Sequence, residues 1–153
     1  MGRSSARADA VAYIHGGYDA PALSGEVRFY QEQGRVLVVA EITGLPKTNE
    51  AGFFGLHIHE GNRCSGDAFS ATGGHYDPTG ERHPMHAGDL PPLLLCRGEA
   101  YLAVRTARFC VAEIIGRTVV IHSGPDDFQS QPAGNAGTKI GCGVICKRKI
   151  HYI

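Results

Sequence analysis

Residues 55–89, GLHIHEGNRCSGDAFSATGGHYDPTGERHPMHAGD, hold five of the chain's eight histidines: His57, His59, His75, His83 and His86. Asp89 closes the run. Its opening decides the fold. Residues 52–60 have β-type sequence, and positions i and i+2 of a strand face the same way. His57 and His59 therefore stand side by side, while Ile58 points to the opposite face. Residues 61–88 show no usable periodicity. A loop that long in a compact domain needs a functional reason, and a metal can order a loop that buries little apolar surface. Imidazole at this density suits zinc or copper.

Working outward, further strands are expected at 11–15, 24–31, 35–43, 90–95, 99–106, 118–122 and 140–148, each bounded by glycine or proline turns. In 24–31, Val27 and Phe29 share one face, Arg28 and Tyr30 the other. A single helical turn fits within 107–115. With 21 glycines, 8 prolines and no tryptophan, short strands and many turns are favoured over long helices. About eight strands with no long helix predict an all-β fold: an eight-stranded Greek-key β-barrel or sandwich, immunoglobulin-like, with two long functional loops at 61–88 and 123–138. The 153 residues fit one domain, with residues 1–8 as a frayed leader.

Fifteen basic residues balance fifteen acidic ones, which argues against a nucleic-acid or anionic-membrane partner. No apolar run approaches the roughly 18 residues of a membrane span. The arginines of the first residues are followed by no apolar signal-peptide region. A cytoplasmic location is expected as the sequence stands, and a periplasmic or secreted one if a leader was removed. The five cysteines form no CxxC pair, so a zinc-thiolate knuckle is disfavoured.

A lone histidine is usually hydrogen-bonded without metal, and His15 and His151 are read so. The other six are not. A structural zinc site needs four ligands in a tetrahedron, and His75, His83, His86 and Asp89 offer them at spacings of 8, 3 and 3. His57 and His59 remain on one strand, with His122 ending another. Three or four imidazoles with an open position suit a redox copper.

Together, GLHIHEG, GGHYDPTG, HAGDL, GRTVVIH followed by PDD, and GNAGTKIGCGVI resemble the copper/zinc superoxide dismutase family, over most of the chain after Gly55. The resemblance implies copper held by His57, His59, His75 and His122. It implies zinc held by His75, His83, His86 and Asp89, with His75 bridging the two metals and serving as a proton carrier. Asp126 corresponds to the carboxylate that links a copper histidine to a zinc histidine. Cys64 and Cys142 correspond to the family's disulfide; a pair of reduced thiols is the other reading. Cys96, Cys110 and Cys146 have no counterpart and are expected to be buried small apolar residues. The implied reaction is dismutation of superoxide, a small anion, to dioxygen and hydrogen peroxide. Family members include dimers and monomers, so a homodimer is compatible with the sequence.

Three departures stand out. Lys139 occupies the place of an arginine at the mouth of the family's copper channel, keeping the charge but not the planar fork of donors. The segment from His75 to Asp89 is shorter than in eukaryotic members and must turn sharply at Pro84. Residues 123–138 lack the charged cluster of those members; Asp126 and Asp127 are their acidic groups. A same-fold protein that binds copper or zinc with little turnover is the alternative. A zinc hydrolase using Glu60 as base is disfavoured, because Glu60 faces away from His59 on the strand.

Overall fold

The computed structural model describes residues 7–148. The expectations placed on residues 1–6, on His151 and on the tail 149–153 lie outside the described residues. Eight antiparallel strands form the fold: β1 Ala10–Gly16, β2 Ser24–Glu32, β3 Arg35–Thr43, β4 Phe53–His59, β5 Asp89–Leu94, β6 Glu99–Thr106, β7 Thr118–His122 and β8 Lys139–Lys147. One short helix, α1, spans Val111–Ile114. The strand order is β5-β4-β7-β8-β1-β2-β3-β6. The ends of this order, β5 and β6, meet at a tight turn bridged by Cys96 and Glu99, which curls the sheet into a nearly closed barrel. β3 lies beside β6 and β4 beside β7, so the connections β3–β4 and β6–β7 cross the barrel in Greek-key fashion.

The alternation in the sequence explains which side chains fill the interior. Val27 and Phe29 of β2, Val36, Val38, Ala40 and Ile42 of β3, and Phe54, Leu56 and Ile58 of β4 are all fully buried or nearly so. Each large apolar side chain removed from water contributes about 1.5–3 kcal/mol. Ile114 of α1 joins them at one end of the barrel, and Phe109 sets its ring edge-on to Phe29 at 6.4 Å. No helix among the described residues is long and apolar enough to cross a membrane.

β4 and β7 differ from the other strands in being buried on both faces. Their inner side chains join the core; their outer ones, including His57, His59 and His122, lie under the two long loops. Register then assembles the site. His57 stands opposite Asp89 on β5, His59 is bridged to His75, and His122 is paired with Lys139 across an irregularity at Ile121/His122.

Several expectations change. Ala8, placed in the frayed leader, is buried, and the neighbouring Asp9 amide donates to the Phe29 carbonyl. Residues 61–88 contain a kinked 3₁₀ segment, Asp67–Thr72. Cys96, Cys110 and Cys146 are exposed, not buried: they sit at a turn, before α1, and on the outward side of β8. Cys64 and Cys142 form a disulfide across a sequence separation of 78.

Candidate metal centre

Two rigid strands and one loop supply the first cluster. The ligand atoms of His57, His59, His75 and His122 all lie within 4.8 Å of one another. Hydrogen bonding sets the tautomers. The Gly73 carbonyl can only accept, so His59 Nδ1 donates to it at 2.8 Å and Nε2 is left with a lone pair. Asp126 Oδ2 accepts from His57 Nε2 at 2.9 Å, which leaves His57 Nδ1 bare. His59 Nε2 and His122 Nε2 face each other at 3.2 Å.

The second cluster is built around Asp89. Its Oδ1 lies 2.8 Å from His75 Nδ1, and its Oδ2 lies 3.1 Å from both His83 Nδ1 and His86 Nδ1. His75 Nδ1 and His86 Nδ1 are 3.2 Å apart. A tetrahedral zinc with bonds of about 2.0–2.1 Å has ligand–ligand edges of about 3.3 Å, so this quartet is close to a coordination shell already. The Asp89 carboxylate accepts from the His86 amide at 3.0 Å, which helps close the short spacing between them.

The donor set fits metals on a second count. His57 Nδ1, His75 Nε2, His83 Nδ1 and His122 Nδ1 are buried nitrogens with no hydrogen-bond partner. An unsatisfied buried polar atom costs about 1–3 kcal/mol, and three such atoms facing two small clusters are hard to reconcile with a structural role. These three, on His57, His75 and His83, are ligand atoms; His122 instead directs Nε2 at the first cluster.

Electrostatics keeps the ligands in their binding forms. Burial, the largest influence, lowers the pKa of His59 to about 2 and of His122 to about 3, and moves His57 in the same direction. Neutral imidazole is the ligand form. Burial alone would raise the carboxylates, yet hydrogen bonds from His57, His83 and the Phe128 amide hold Asp126 well below the usual range. The hydrogen bond and charge of His75 do the same for Asp89.

Asp126 ties the two clusters together: Oδ2 takes His57 Nε2, and Oδ1 takes His83 Nε2 at 2.7 Å and the Phe128 amide at 2.8 Å. Gly134 makes room for this link. A Cβ there would sit 1.9 Å from Asp126 Oδ1, on a backbone with φ of 67°, so neither space nor conformation admits a side chain.

Lys139 is half-buried and donates to Thr72 Oγ1 at 2.7 Å and to the Gly73 carbonyl at 2.8 Å. Burial lowers its pKa. The same Gly73 carbonyl serves His59, so lysine and copper-side histidine share one acceptor. Glu60 is exposed and does not enter the cluster, as expected from strand geometry. Sequence reasoning singled out every residue of the two clusters. It missed Thr72, Gly73, Arg108 and Gln131, which act on or through backbone groups and carry no pattern.

Residues 23–145 match the family described as copper/zinc superoxide dismutase (SODC). The chain is 35% identical to superoxide dismutase [Cu-Zn] 2 of Aquifex aeolicus over 136 residues, covering 79% of this chain and 78% of that protein. It is 38% identical to superoxide dismutase [Cu-Zn] of Deinococcus radiodurans over 130 residues, covering 71% and 69%. A solved structure, the double mutant of a SOD-like protein from Bacillus subtilis, has the same fold: TM-score 0.73, 24% identity, 89% of this chain and 96% of that one covered. With this match and both clusters intact, the chain belongs to the copper/zinc superoxide dismutase family.

Proposed function

We propose that this protein dismutates superoxide at a copper site and that a neighbouring zinc site holds the copper-site geometry. The single observation that carries the reading is the placement of His75. Its Nδ1 faces Asp89 and His86, its buried Nε2 has no partner, and its ring lies beside those of His57 and His59, with centroids 4.0 and 4.9 Å away. A second tight group of ligand atoms, from His57, His75, His83 and Asp89, shares both His57 and His75 with the first. His57 commits Nε2 to Asp126, so it offers one nitrogen only. His75 gives Nδ1 to the side of Asp89 and His86 and keeps Nε2 without a partner, so it is the residue suited to bridge.

Copper would be held by His57 Nδ1 and by Nε2 of His59, His75 and His122; zinc would be held by Nδ1 of His75, His83 and His86 with the Asp89 carboxylate. Copper would supply the one-electron couple that the reaction needs, and zinc would supply a fixed positive charge. The chain's own residues do the rest. His59 and His122 stay neutral because they are buried. Asp126 orients His57 and His83 together. His75 Nε2, which has no hydrogen-bond partner, would hold a proton only while it is not a ligand, and would give it to the reduced oxygen product. Lys139 keeps an ammonium beside the copper-side histidines, where it attracts a small anion.

The test is pulse radiolysis of the metal-loaded protein and of its His122→Ala variant. Superoxide decay well above the spontaneous rate, lost in the variant together with copper but with zinc retained, supports the reading. Decay at the spontaneous rate in the loaded wild type would reduce the protein to a metal-binding member of this fold.

A further inference from the structure

The segment between His83 and Asp89 carries three of the four zinc-side ligands in seven residues, and it has no regular structure of its own. Two side chains from distant parts of the chain grip its backbone. From the loop after β7, Gln131 pairs with both polar groups of His83: its Oε1 accepts the His83 amide at 2.8 Å and its Nε2 donates to the His83 carbonyl at 2.8 Å. A further bond from Nε2 to the Gln129 carbonyl at 2.9 Å fixes the amide's orientation. From the connection after β6, Arg108 Nη1 donates to the Pro84 carbonyl at 2.7 Å and the His86 carbonyl at 3.2 Å, with Nη2 3.9 Å from Met85 Sδ.

We infer that Gln131 and Arg108 are the positioning residues of the zinc half-site, holding the backbone of His83 and His86 in register with Asp89. This rests on reading that half-site as a metal site. The physical reason lies in what the segment lacks. A peptide this short cannot bury enough apolar surface to fix its own conformation, and Met85 at its centre is exposed. The segment's own ties at His86 are two bonds to Asp89, from the His86 amide at 3.0 Å and to the His86 carbonyl at 3.1 Å; the Pro84 carbonyl is held by Arg108. Gln131 completes a two-point clamp at one ligand, and Arg108 bridges the carbonyls on either side of Met85. Asp126 fixes the His83 ring from its far nitrogen; Gln131 fixes the chain that carries the ring. The two actions are complementary.

The experiment compares wild type with Gln131→Met, Arg108→Met and the rescue variant Arg108→Lys, which restores one cationic donor. Gln129→Ala, an exposed neighbour whose side chain makes no hydrogen bond to the segment, is the control. Zinc and copper affinities are measured separately by chelator competition, and cobalt(II) is loaded in place of zinc to read the ligand field from its visible absorption. The expected result is a loss of zinc affinity of about tenfold for each Met variant, the low end of what outer-shell partners cost. The cobalt spectrum should be weakened or shifted in both, copper affinity should stay within about threefold, Arg108→Lys should recover in part, and Gln129→Ala should match wild type. Unchanged zinc affinity and cobalt spectrum in both Met variants would overturn the assignment, even if their melting temperatures fall. Equal losses of copper and zinc would also overturn it, because the clamp acts on one half-site. Wild-type protein that takes up no cobalt would instead overturn the metal-site reading on which the inference stands.

Discussion

Replacing Asp126 with asparagine tests the link between the two half-sites, and the structure fixes what should happen. Asp126 accepts from His57 Nε2, His83 Nε2 and the Phe128 amide. Asparagine keeps one acceptor oxygen and places an NH₂ against one of the two rings. Hydrogen bonds to a charged group contribute about 1.5–3 kcal/mol and neutral ones about 0.5–1.5. Losing one bond and neutralising the other should cost the metal-free protein about 2–4 kcal/mol, or about 4–16 °C in melting temperature for a chain of this size. The ring facing the NH₂ must also turn its lone pair toward it. That moves its proton to Nδ1, the atom assigned to the metal. Chelator competition should therefore find copper and zinc affinity both reduced, by about 10- to 100-fold at the ring that changes tautomer. A variant with wild-type affinity for both metals would refute the account of Asp126 as their shared anchor.

Lys139→Gln should slow dismutation about 3- to 10-fold at low ionic strength, with the gap closing as salt shortens the Debye length to about 8 Å and below; stopped-flow rates at several salt concentrations check this. Cys142→Ser removes the cross-link closing 78 residues, and the loop-entropy relation puts the loss at up to about 4.5 kcal/mol, read as a lower urea midpoint with a steeper slope, because the unfolded chain without the cross-link exposes more surface. Metal-free protein should weaken as pH falls through about 6.5, because the unfolded chain takes up protons that buried His59 and His122 refuse until about pH 2 and 3. Stability from these rings is complete above the unfolded pKa, declines by up to about 1.4 kcal/mol per pH unit for each, and stops declining at the folded value. Urea melts at pH 7 and pH 5 that coincide would contradict it.

Much of this architecture was legible because the chemistry leaves a mark on residue type. HIH on a strand places two imidazoles on one face with no further information, and β3, β6 and β7 were bounded by turn residues clear enough to give their observed limits. The six clustered histidines and Asp89 were legible for the same reason, and Asp126 through the resemblance of the PDD segment to the family. What escaped depends on which face a loop covers. Alternation could not tell that Cys146 lies on the open side of β8 while Val120 of β7 lies under the metal-site loops. Nor could it reveal Gln131 or Arg108, whose partners are backbone groups brought near by tertiary approach. The 3₁₀ segment Asp67–Thr72 follows no apolar period; the Lys139 contact to Thr72 and the Cys64 cross-link fasten the loop on either side of it.

The central claim is that one imidazole, His75, stands between two different metals. Anomalous diffraction from metal-loaded crystals, collected on either side of the copper and zinc absorption edges, tests it directly. The account predicts a copper peak on the Nε2 side of His75 beside His57, His59 and His122, and a separate zinc peak on the Nδ1 side beside His83, His86 and Asp89. A single metal position, or both peaks on the same side of that ring, would contradict it.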